Sequence, residues 1–150
     1  MRTSPVILIA SLLLAGPLTA DTFTVDTNGS ASDGCDEAPD PQICDTQTSC
    51  QAARTNDCTI NAAIQSANNL SDADEIAFDL ASITLDGNLL AILYPVTIGP
   101  DSPPRVDLNG AGTNSGLVLD EMAAGSTIRN LVIRNMSGNC LLYTSPSPRD

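Results

Sequence analysis

Two hydrophobic rhythms divide the chain. In "CTINAAIQSANN" (58–69) the apolar residues Ile60, Ala63, Ile64 and Ala67 recur at helical spacing, and Asp57 or Thr59 stands where a first turn is capped. A short helix over 59–69 with a single apolar stripe is predicted, and that stripe must lie on something. From Glu75 onward the rhythm changes to short triplets with apolar ends: ITL (83–85), VTI (96–98), VDL (106–108), LVL (117–119) and LVI (131–133). Gly, Pro, Asn or Asp separates each from the next, so they read as very short strands between turns. Further upstream, "FTVDTNGS" (23–30) alternates like a strand and then runs into turn residues.

The triplets begin 10 to 14 residues apart, too close for intervening helices and too irregular for tidy hairpins. Taken two apart they repeat every 21 to 25 residues, the signature of a solenoid whose coils each contribute two or three strands. Residues one and three of each triplet then point inward and stack on their equivalents in the next coil. An antiparallel sandwich is the rival, but no I′-type hairpin joins the triplets, and Asn109-Gly110 is followed by further turn-like residues. The first coil of a solenoid exposes an apolar end and bare strand edges, and the amphipathic helix is expected to cap it.

Composition agrees with thin aliphatic layers: 42% of residues are hydrophobic, yet there are two Tyr, two Phe and no Trp. Eighteen acidic residues face six basic ones, all arginine, for a net charge of −12. Such a chain repels phosphate backbones and anionic headgroups, which argues against nucleic-acid or membrane-surface partners. With no histidine, imidazole-based triads and metal sites are excluded.

The N-terminus reads as an address. Arg2, the apolar run "VILIASLLLA" (6–15), the Gly16-Pro17 break and the small residue Ala20 make residues 1–20 a signal peptide cleaved after Ala20, and the run is too short to span a bilayer. Export accounts for Cys35, Cys44, Cys50 and Cys58, which crowd into a turn-rich segment without periodicity. Two disulfides there would restrict its unfolded state by a few kcal/mol each, and all three pairings are open. A zinc site is disfavoured, because the spacings contain no CxxC knuckle. Cys140 opens "CLLYTSPSPRD" (140–150), whose back-translation resembles, codon for codon, a transposase-type sequencing adapter read in frame. Residues 140–150 are accordingly expected to be an adapter-derived tail foreign to the fold, with the natural gene continuing past Asn139.

Four stretches together resemble a known family: "FTVDTNGSASDGC", "CTINAAIQSANN", "ADEIAFDLASITL", and "PVTIGPDSPPRVDLNGAGTNSGLVL" with "STIRNLVIRNMSGN". In order and spacing they look like the N-terminal region of secreted bacterial right-handed parallel β-helix proteins that begin with a CSLREA-type domain. Cys58, Thr59, Ala63 and Ile64 match the family's Cys-Thr-Leu-Arg-Glu/Ala-Ala-Ile pattern, Ala62 is an allowed variant, and Ile60 and Asn61 replace its Leu and Arg. The resemblance implies an all-β, pectin-lyase-like, right-handed parallel β-helix (solenoid) with an N-terminal capping helix. It divides the chain into a disulfide-rich cap over 21–70 and the first coils, truncated, over 71–139. Family members are commonly large cell-surface or secreted proteins, and no common catalytic activity goes with the likeness.

Candidate chemistry is sparse. Asp107 and Asp120 are outward carboxylates, with Arg129 and Arg134 on a later strand; in a polysaccharide lyase such groups hold Ca2+ and abstract a proton. Thr97, Val118 and Val132 occupy the other outward places, so a solvated acidic face is the better reading, and no catalytic residue is assigned. Asp26, Asn28, Ser30 and Glu37 fall at positions 1, 3, 5 and 12 of an EF-hand-like loop, but Ala31 stands where glycine is required, which makes Ca2+ a weak candidate and no other cofactor is expected. Asn109, Asn130 and Asn135 are placed to form an amide ladder. The expected function is that of a non-catalytic extracellular surface or adhesive scaffold, secreted or held at a bacterial cell surface, with glycans or other surface polymers as partners. The runner-up is a polysaccharide lyase or glycoside hydrolase with its active site beyond Asn139.

Overall fold

A computed structural model describes residues 20–30, 58–69 and 73–144. The signal-peptide reading of 1–20, three of the four clustered cysteines, Glu37 and the last six residues of the tail therefore lie almost wholly outside the described residues.

The described strands are β1 (Thr22–Val25), β2 (Asp74–Phe78), β3 (Ser82–Thr84), β4 (Ala91–Ile92), β5 (Val96–Ile98), β6 (Val106–Asn109), β7 (Leu117–Leu119), β8 (Thr127–Ile128), β9 (Leu131–Arg134) and β10 (Leu141–Tyr143), with one helix, α1 (Ile60–Asn69). They assemble into three parallel sheets: β1-β2-β5-β8, β3-β6-β9 and β4-β7-β10. From β2 onward the chain visits the three sheets in turn. Each triplet of the sequence pattern is a strand or overlaps one. The two-residue strands β4 and β8 are too short to leave a periodic trace, and β2 begins with two acidic residues that hide its apolar alternation.

The expected all-β right-handed parallel β-helix is corrected by this arrangement. The strands lie in three small separate sheets with no closed helix joining them, and α1 is built into the core, so the chain has a mixed α/β character. Strands of two to five residues end before their ladder can pass from one sheet to the next. The helix also differs from its forecast of a single stripe, because every residue from Ile60 to Ala67 is buried. It packs against β1 and β2 of the first sheet and β4 of the third, which encloses it on more than one side. Thr59 caps it: Ala62 N–H donates to Thr59 Oγ1 at 3.3 Å.

Inward residues stack in rows across each sheet. Phe23, Ile76, Ile98 and Ile128 align in the first sheet, Ile83, Leu108 and Ile133 in the second, and Ile92, Leu119 and Tyr143 in the third. With Ile60 and Ile64 of α1 these residues, apart from the exposed Tyr143, form one continuous hydrophobic core. The sequence of turns needs glycine where rows approach closely: Gly99 has φ +109°, and a Cβ there would run into the carbonyl of Arg129.

Candidate functional site

Where the chain turns from the first sheet to the second, residues 79–81 (after β2) and 99–105 (after β5) enclose an open groove of about 190 Å3. Phe78, Leu80, Pro100 and Pro104 give it apolar walls, and Asp79 and Arg105 bring one acceptor and one donor group. Proline fixes the groove's upper lip, since "GPDSPPR" (99–105) contains three prolines whose φ angles are set by their rings.

The charges beside the groove are paired. Arg129 reaches Glu75 Oε1 at 2.9 Å and Asp101 Oδ1 at 2.6 Å, and its Nε donates to Gly99 O at 3.1 Å. Arg134 Nε lies 2.8 Å from both carboxylate oxygens of Asp107. The three ion pairs are partly solvated, so each contributes up to about 1 kcal/mol. Among the described residues, Arg105 is the one arginine in no ion pair. Its side chain is exposed at the groove.

The carboxylates singled out in the sequence do not converge. Asp107 points outward from β6 in the second sheet, in a row with Ser82 and Val132, and is engaged by Arg134. Asp120 follows β7 in the third sheet and precedes the 3-10 turn Glu121–Ala123, without a side-chain capping bond. The residues of the EF-hand-like loop turn toward three different backbone partners or side chains. Asp26 Oδ1 accepts the Cys58 N–H at 2.8 Å, Asn28 Oδ1 accepts the Thr84 N–H at 2.7 Å, and Ser30 Oγ donates to Asp86 Oδ1 at 2.7 Å. Among the described residues no group of three acidic or cysteine side chains is placed to hold a metal ion. Cys58 is buried and disulfide-bonded, and Cys140 is free and exposed.

Of the asparagines, Asn135 Nδ2 donates to Asn109 Oδ1 at 3.1 Å, while Asn130 turns away to Pro100 O at 2.9 Å. The ladder is therefore a pair. Sequence reasoning missed Asp86, whose carboxylate takes both the N–H of Ser30, at 2.6 Å, and its hydroxyl. These hydrogen bonds, side chain first, hold its pKa below the usual 3.8. The Asp86-Gly87 turn dipeptide was its only trace in the sequence.

Compared with protein-family models, curated proteins and solved structures, the chain matches none. Among the described residues no helix is long and apolar enough to cross a membrane.

Proposed function

We propose that the chain is the N-terminal part of a secreted, non-catalytic surface scaffold, and that the groove between the first and second sheets takes a single neutral sugar unit of a surface glycan. The carrying observation is the pairing of apolar walls with one uncommitted arginine and one carboxylate, in a space of about 190 Å3. A sugar ring presents an apolar C–H face to Phe78 and the prolines, and hydroxyls that donate to Asp79 and accept from Arg105. The net charge of −12 disfavours acidic polymers. Secretion is supported by the leader-like residues 1–20 and by the cysteine cluster; the motif resemblance supports a surface role.

A glycan array probed with the exported chain and with Arg105→Ala tests this reading. Binding to neutral glycans, lost at least several-fold in the variant, is expected. Binding only to acidic glycans, or binding indifferent to Arg105, would refute it.

A further inference from the structure

The first inward position of β2 holds an acid. Asp74 shares its strand face with Ile76, lies beside the buried Val96 of β5, and is only 1% exposed. A carboxylate set among core residues keeps its charge only where donors or a positive charge meet it. One of its donors comes from the residue that precedes β1: the main-chain N–H of Asp21 donates to Asp74 Oδ1 at 2.9 Å. That nitrogen is held in place, because Asp21 O accepts the Glu75 N–H at 2.8 Å and the β1–β2 ladder begins at once with Thr22 beside Glu75.

Asp21 is also the first residue after the expected leader, so its nitrogen belongs to a peptide bond in the precursor and to a chain terminus in the exported protein. We infer that export completes this contact: the α-ammonium of Asp21, created when the Ala20–Asp21 bond is cut, forms an ion pair with the buried carboxylate of Asp74. Hydrolysis adds one water across that bond, leaving the Ala20 carboxylate on the leader and an amine on Asp21 that is largely protonated at neutral pH. A full positive charge thereby replaces an amide dipole against a carboxylate whose desolvation the fold has already imposed. Attraction between opposite charges is strong where water is partly excluded. The stabilising charge exists only once the leader has gone, so the unprocessed chain is less stable than the exported one. This rests on the reading of residues 1–20 as a leader and is independent of glycan binding.

The chain contains no lysine, so the α-amino group is the one primary amine of the exported protein and can be modified selectively. Intact mass should place the N-terminus at Asp21. Amine-selective acetylation should then run at least several-fold more slowly on the native chain than on the same chain in urea, and Asp74→Asn should remove that protection. Acetylation in urea followed by refolding should lower the thermal midpoint of the wild type by at least about 3 °C and leave that of Asp74→Asn nearly unchanged. Should Asp74→Asn fail to fold, the labelling rate and the acetylation shift of the wild type still decide. An N-terminus elsewhere than Asp21 would overturn the inference together with the assigned cleavage point. A native amine that labels as fast as in urea, or equal acetylation shifts in wild type and Asp74→Asn, would overturn the inference and leave the leader reading intact.

Discussion

The carboxamide of Asn61 accepts the Leu90 N–H at 2.9 Å, while its Nδ2 donates to Ser30 O at 2.6 Å and to Asn88 O at 2.9 Å. One buried side chain on the helix thus ties together the turn after β1 and the segment entering β4. Removing it leaves a donor and two acceptors without their partner in a largely buried place, which costs more than the bonds themselves contribute. Asn61→Ala should lose about 2 to 4 kcal/mol in urea unfolding. Asn61→Leu, similar in volume, should do no better, and a loss under about 0.5 kcal/mol would contradict the role given to Asn61.

The spacing of Ile60, Ala63 and Ile64 announced the helix, and the triplets announced five of the ten described strands, those in which two apolar residues flank one outward position. Sequence alone did not reveal that Asn61 and Gln65 would be buried with the apolar face, since their burial depends on sheets contributed from far along the chain. Nor could it assign the sheets: Val96 pairs with Asp74 and Leu117 with Leu141, contacts that local pattern does not encode. The tail gave the opposite surprise. Residues 141–143, expected to stand outside the fold, form β10 against β7, because two leucines and a tyrosine suit a sheet edge whatever their origin. The groove was unreadable for the same reason as the sheets, as Phe78 and Arg105 meet only through the turns that bring 79–81 and 99–105 together.

Gly99 should tolerate no side chain. Its left-handed φ of +109° already disfavours any other residue, and a Cβ would strike the Arg129 carbonyl, a main-chain atom that cannot swing aside. Gly99→Ala is expected to cost about 2 kcal/mol or more, measured as a shift in the urea midpoint at constant slope. Gly112→Ala, also at positive φ but with open space around it, should cost distinctly less. Equal costs would show that backbone strain alone governs both positions.

Asp86 makes stability depend on acid. Its folded-state pKa lies below 3.8, so the hydrogen bonds from Ser30 contribute fully above the unfolded value and are lost as pH falls through the folded one. The stability difference between wild type and Asp86→Asn should be constant near neutrality and shrink below pH 3.8. Ser30→Ala should flatten the same limb of the profile. A difference that grows on acidification would contradict the assignment.

The cysteines should separate into two classes. With Cys58 disulfide-bonded and Cys140 free, native alkylation of the exported chain should label one thiol, on Cys140, and reduction should release four more. Intact-mass analysis counts them directly. Two or more labelled thiols without reduction would mean that the clustered cysteines do not form two bridges.

Glycan binding would rest on the groove, and amide chemical-shift mapping reaches it most directly. The exported, isotope-labelled chain would be titrated with a neutral disaccharide chosen from the array. Saturable shifts confined to residues 78–81 and 100–106, and absent in Arg105→Ala, are the predicted result. Saturable shifts elsewhere on the molecule, or shifts unchanged by loss of Arg105, would contradict it.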